Sequence, residues 1–168
     1  MKIAVVCANG KAGKLITNEA VERGFDVTAV VRGENKTNAK QVISKDLFDL
    51  TKEDLKGFDV VVDAFGAWTP DVLPQHSTSL KHLCDILSGT DTRLVVVGGA
   101  GSLYVNKEHT IQVMDTPDFP EMFKPLAQAQ GKALEELRER KDVKWTFISP
   151  AGDFQAEEIG RASCRERV

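Results

Sequence analysis

Cysteine is scarce in this sequence and badly spaced for cross-linking. Cys7, Cys84 and Cys164 are the only three, and no Cys-x-x-Cys occurs, which excludes an even disulfide framework and a zinc ribbon. An excess of positive charge is missing as well. The 22 Lys and Arg stand against 25 Asp and Glu, a formal net charge of −3, leaving no general basic face for nucleic acid or an anionic membrane. No apolar run approaches the roughly 20 residues of a membrane span. Met1-Lys2 leads straight into a strand-like run rather than an apolar leader with a cleavage site. Repeats and low-complexity segments are absent. Together these absences lead us to expect a soluble, reduced, cytoplasmic protein.

What is present suits one domain with a sizeable core: 168 residues, 42% hydrophobic and 28% charged. The last ten residues, Ile159–Val168, match one reading frame of a common short-read sequencing adapter residue for residue and are set aside. Residues 1–158 are read as the domain, with its C-terminal part expected to be cut short.

Within it, apolar runs alternate with helical patterns. Ile3–Val6, Val27–Val31, Gln41–Ser44, Asp59–Ala64, Leu94–Val97 and Val143–Ser149 read as strands. Ala12, Leu15, Ile16 and Ala20 recur at helical spacing, as do Leu80, Leu83, Cys84 and Leu87. A third helix, from about Glu121, carries Leu126, Ala129, Ala133 and Leu137 inward. Gly24 and Gly89 are natural helix stops. Strands separated by helices predict an α/β fold, a doubly wound parallel sheet of strand order 3-2-1-4-5-6. Gly99–Asp118 has no period and is expected to be a functional loop at the carboxyl edge of the sheet, where ligands of such folds bind.

The most specific motif lies between the first strand and the first helix. In Cys7-Ala8-Asn9-Gly10-Lys11-Ala12-Gly13, Gly10 lets the backbone approach a pyrophosphate and Gly13 lets the helix pack closely on the sheet. The helix start offers free N–H groups and a positive dipole end to the anion. A Rossmann dinucleotide fold follows from this motif in this context.

Here the sequence resembles the atypical short-chain dehydrogenase/reductases, and more narrowly the small bacterial NAD(P)H-binding proteins of NADH-flavin-reductase-like and NmrA-like type. The resemblance is carried by Met1–Gly13, Asp26–Arg32, Asp59–Ala67, Val97–Leu103 and Ser149-Pro150-Ala151, and runs to about Asp153. It departs at Cys7, where the family normally has glycine; a thiol fits there if the backbone φ is negative.

The resemblance implies a cofactor site made of Ala8, Asn9, Gly10, Lys11, Ala12, Gly13, Phe65, Gly66, Ala67, Gly98 and Gly99. Asp46 and Leu47 stand where the family contacts adenine, although Asp46 is equally placed to cap a turn. At the end of the second strand an acidic residue would suit NAD(H), and a basic one a 2′-phosphate. Arg32, with Lys36 nearby, favours NADP(H); Glu34 dissents, and NAD(H) stays open.

Ketone-reducing members use Tyr-x-x-x-Lys on the last helix. The matching segment keeps Lys132 but has Gln128 in the tyrosine position, and an amide donates no proton at neutral pH. The only tyrosine, Tyr104, lies elsewhere. No catalytic residue is therefore assigned. Two readings follow. In one, hydride passes to a small-molecule acceptor, flavin- or quinone-like, that solvent can protonate; Lys132 holds the nicotinamide ribose, and Pro150 and Ala151 border the nicotinamide. In the other, the chain is a non-catalytic NADP(H)-binding redox sensor. A sugar-nucleotide epimerase would need the missing tyrosine and a larger substrate domain. His76 and His82, six residues apart, share no ligand face, so no metal is expected. Phe65 and Trp68 suit acceptor stacking and core packing equally.

Overall fold

The computed structural model describes residues 1–150; Ala151 and the adapter-like Ile159–Val168 lie outside the described residues. Six strands, β1 (Lys2–Val6), β2 (Asp26–Val31), β3 (Gln41–Ser44), β4 (Val60–Asp63), β5 (Arg93–Val97) and β6 (Lys144–Ile148), form one sheet of order β3-β2-β1-β4-β5-β6. Every pairing is parallel. Three helices cross between strands: α1 (Lys11–Glu22), α2 (Gln75–Leu87) and α3 (Lys124–Arg138).

The strand composition follows from two-sided burial, because helices cover a parallel sheet on both faces. On one face Ala4, Val6, Val30, Val61, Leu94 and Val96 pack with Leu80, Leu83 and Leu87 of α2 and Ala133 and Leu137 of α3. On the other, Ile3, Val5, Val27, Ala29, Val31 and Val62 pack with Ala20 of α1. Each leucine fully buried in this way contributes about 1.5–3 kcal/mol. Gly24 and Gly89 follow α1 and α2 with φ of 78° and 68°, left-handed turns that glycine adopts without steric cost.

One expected detail is corrected and one is filled in. Helix α1 buries Gly13, Thr17 and Ala20, whereas Leu15 is exposed. Thr17 can face the sheet because its hydroxyl donates to the Gly13 carbonyl at 2.7 Å. The stretch 99–118 is not structureless. Tyr104 and Gln112 form an antiparallel bridge, with short 3-10 turns at Ala100–Ser102 and Val113–Asp115. Asn106 closes the hairpin, its Oδ1 accepting from the amides of Thr110 and Ile111 at 3.0 Å.

The register aligns Val6 with Val30 and Asp63, Asp63 with Val96, and Val97 with Ile148. All carboxyl ends therefore open onto one edge. Among the described residues no helix is long and apolar enough to cross a membrane.

Candidate functional site

At this edge β1 gives way to the glycine turn. Cys7 has φ of 58°, so the expectation of a negative φ is corrected: the thiol-bearing residue occupies the left-handed conformation that glycine takes freely. That conformation costs an L-residue roughly 1–2 kcal/mol. Burial pushes the Cys7 thiol up to about 12, and the neighbouring Asp63 charge adds to the effect. A reactive thiolate is not available there.

The turn is fixed by backbone bonds. The Gly10 amide donates to the Cys7 carbonyl at 3.0 Å, and the Ala8 amide to the Val30 carbonyl at 3.2 Å. Gly10 is the N-cap of α1, no side chain caps that helix, and no acid lies in its first turn. Its leading N–H groups are thus left to an outside acceptor. A Cβ on Gly13 would lie 2.5 Å from the Cys7 carbonyl oxygen and 3.0 Å from Ala8 Cα, so only glycine lets α1 start this close to the turn. Ala8 is buried, Ala12 half-buried, and Lys11 exposed. An uncapped, glycine-pinched helix start is a cradle that fits a diphosphate.

Beside the turn, Asn9 reaches the segment after β2. Its Nδ2 donates to the Glu34 carbonyl at 2.8 Å, and its Oδ1 accepts from the Lys36 amide at 2.8 Å. Arg32 is 82% exposed, with a guanidinium nitrogen 3.7 Å from Asp46 Oδ2. Asp46 caps the 3-10 turn Leu47–Asp49, accepting from the Phe48 amide at 3.0 Å, and Leu47 is buried in the core. Of the two roles open to Asp46, the cap is the one the geometry contains.

After β4, buried Asp63 accepts from the Phe65 amide at 3.0 Å and so shapes the Phe65–Ala67 segment. Burial pushes its carboxyl up to about 6, against that hydrogen bond. Buried His76 holds the same segment, with Nε2 3.0 Å from the Ala67 carbonyl oxygen. Desolvation lowers its pKa, which favours neutral imidazole. The Phe65 ring meets His76 edge-on at 5.5 Å and packs against the core, whereas Trp68 is 73% exposed. Among the described residues, Ser79 Oγ is buried without a partner. It borders a cavity of ≈20 Å³ shared with Asp63, His76, Gln130 and Phe147, room for about one water.

After β5, Gly98 and Gly99 leave space for side chains from neighbouring elements. A Cβ on Gly98 would lie 2.0 Å from the Phe147 ring, and one on Gly99 2.1 Å from Gln130 Oε1. Half-buried Pro150 follows β6, which is tied to Gly98 by its amide donating to the Ile148 carbonyl at 2.9 Å.

The topology therefore gathers residues 8–13, Arg32, Asp46, Leu47, Phe65, Gly66, Ala67, Gly98, Gly99 and Pro150 along one edge. Lys132 is not among them. Its ammonium is exposed, 3.8 Å from Glu136, and lines the outer groove between α2 and α3 with Pro74 and Lys81. Gln130 of α3, which helical spacing from Lys132 did not single out, meets the edge at Gly99. Tyr104 stacks on His109 in the hairpin, centroids 5.0 Å apart. Asp63 and His76 also escaped sequence reasoning as site-shaping residues; an acid closing an otherwise valine strand was the available signal.

Comparison with known proteins agrees with this geometry. A family model described as NAD(P)H-binding matches residues 7–163. The uncharacterized protein YwnB of Bacillus subtilis is 46% identical over 157 residues, covering 92% of this chain and 73% of that protein. A crystal structure of a putative NADH-flavin reductase from Streptococcus pneumoniae superimposes with a TM-score of 0.92 at 56% identity, covering 96% of this chain and 77% of that one. The Lmo0794 protein of Listeria monocytogenes gives a TM-score of 0.70 at 40% identity, over 92% and 82% of the two chains. With this fold, this glycine turn and these relatives, the chain belongs to the NAD(P)H-binding family, on a Rossmann-type parallel sheet.

Proposed function

We propose that the chain is an NAD(P)H-dependent oxidoreductase that passes hydride to a flavin- or quinone-like acceptor, with NADPH favoured over NADH. The observation that carries the reading is the start of α1, uncapped, free of acid and pinched against the turn by Gly13. Its N–H groups would hold the diphosphate. The exposed guanidinium of Arg32 would take the 2′-phosphate, for which arginine's planar donor fork is suited. Gly98, Gly99 and Pro150 would border the nicotinamide. When bound, the reduced nicotinamide supplies the hydride.

The acceptor class follows from what stands where a proton donor would be. Gln128 replaces the tyrosine, Lys132 faces the outer groove, and Tyr104 is stacked on His109. An acceptor that solvent protonates needs no such donor, which fits a flavin or quinone and not a simple ketone. The name carried by the Streptococcus pneumoniae relative supports the same choice. The exposed indole of Trp68 and the exposed Leu103 and Ile111 of the hairpin offer apolar surface for a planar ring system.

The test is NADPH and NADH oxidation by the purified chain with FMN or menadione, followed by nicotinamide absorbance. The reading expects turnover with both acceptors, faster at low NADPH than at low NADH. Tight dinucleotide binding without oxidation in either mixture would overturn it.

A further inference from the structure

The segment between β2 and β3 carries Arg32, which the proposed reading places at the ribose 2′-phosphate, and Lys36 nearby, and it has little holding it. Among the described residues, no backbone–backbone hydrogen bond outside helices and strands involves residues 33–38. Three asparagine side chains do the holding, with the Thr37 hydroxyl accepting from the Ala39 amide at 3.2 Å. Asn35 works within the segment, accepting from the Thr37 amide at 3.0 Å and donating to the Ala39 carbonyl at 2.8 Å. Asn18 of α1 accepts from the Asn38 amide at 2.8 Å. Asn9 is the one that reaches out of the glycine turn itself, taking the Glu34 carbonyl and the Lys36 amide together. Both ends of its amide are engaged, so the group bridges two backbone segments.

We infer that Asn9 is a positioning residue for dinucleotide specificity: its clasp on Glu34 and Lys36 fixes the segment that sets Arg32 and Lys36 beside the diphosphate turn. The inference rests on the proposed reading that this edge takes NADP(H) with Arg32 at the 2′-phosphate. Asn9 need not touch the dinucleotide for this. It holds the distance between the diphosphate cradle and the 2′ subsite, and a fixed distance favours a ligand that spans both. The contact of Arg32 with Asp46 is long and exposed, so it does little to orient the guanidinium in place of the clasp.

The test compares NADPH and NADH dissociation constants, by fluorescence titration, for the full chain, Asn9→Ala, Arg32→Ala and the double variant. The clasp predicts that Asn9→Ala lowers the NADPH-over-NADH preference about tenfold, the scale of one charge-assisted phosphate contact. NADH affinity should fall by less than NADPH affinity does, so that the ratio of the two reports the clasp. Arg32→Ala should abolish the preference, and the double variant should lose no more than Arg32→Ala alone. Amide hydrogen exchange supplies a readout independent of the ligand. The Lys36 amide should be protected in the parent and exposed in Asn9→Ala, while the Val5 and Val30 amides stay protected and report an intact sheet. An Asn9→Ala chain that weakens both dinucleotides equally, or leaves Lys36 exchange unchanged, overturns the inference and leaves the Arg32 reading standing. An Arg32→Ala chain that keeps the preference, or a parent without one, removes the reading and the inference together.

Discussion

Replacing Gly13 by alanine isolates the contact that lets α1 begin against the glycine turn. The added Cβ would sit 2.5 Å from the Cys7 carbonyl oxygen, 3.0 Å from Ala8 Cα and 3.1 Å from the Cys7 carbonyl carbon. All three are backbone atoms in a turn already fixed by two hydrogen bonds, so none can swing aside. Restoring ordinary contact requires the helix start to retreat by nearly 1 Å, an overpacking cost of about 1–3 kcal/mol. Alanine's better helix propensity returns about 1 kcal/mol. The net expectation is a loss of up to about 2 kcal/mol, read as a lower urea midpoint at unchanged slope. The same retreat moves the leading N–H groups off the diphosphate, so NADPH affinity should fall tenfold or more, about 1.4 kcal/mol. Gly99→Ala is the internal comparison. Its Cβ would meet Gln130 Oε1 at 2.1 Å, but that is the end of a flexible side chain that can rotate away, so stability should drop by less than about 1 kcal/mol. A Gly13→Ala chain with the parent's midpoint and the parent's affinity would refute the reasoning.

Three further outcomes follow from the site. Asp63 binds its proton more tightly folded, at about 6, than in an unfolded chain, at about 4. Between those values the folded state holds more protons, so this group's contribution to stability falls as pH rises through that window and the full penalty persists above it. Asp63→Asn keeps an oxygen for the Phe65 amide and removes the buried charge. Melts at pH 8 should place the variant above the parent by up to roughly 3 kcal/mol, with the gap closing toward pH 4; a gap independent of pH would contradict the assignment. At Cys7, left-handed φ predicts that Cys7→Gly is more stable than Cys7→Ala by about 1 kcal/mol in urea denaturation, and equal stabilities would contradict it. With its thiol held up at about 12, Cys7 should stay unlabelled when the folded chain meets iodoacetamide at pH 8 and peptides are mapped.

The valine-rich runs made the sheet legible, because two-sided burial leaves an unbroken apolar string and the intervening helices dictate parallel pairing. Strand order followed from crossover handedness. The glycine turn was legible for the same reason: Gly10 and Gly13 stood between a strand and a helix. Other features depend on quantities a sequence does not print. The sign of φ at Cys7 is set by the turn, and a residue other than glycine conceals it. The rotation of α3 decides that Gln130 meets Gly99 while Lys132 faces the outer groove, and spacing along the helix leaves that rotation open. The stretch 99–118 looked irregular because its hairpin is held by Asn106 and not by an apolar period. Asn9 looked like one more loop residue; its two bonds to the segment after β2 exist only once the chain has folded.

The central claim is that the start of α1 holds a dinucleotide diphosphate, and the measurement closest to it is an amide NMR titration of the isotope-labelled chain with NADPH. The account predicts saturable shifts that are largest for Asn9, Gly10, Lys11, Ala12 and Gly13, with Arg32 and its neighbours following. Saturation without movement of those amides, or no binding at millimolar NADPH, would contradict it.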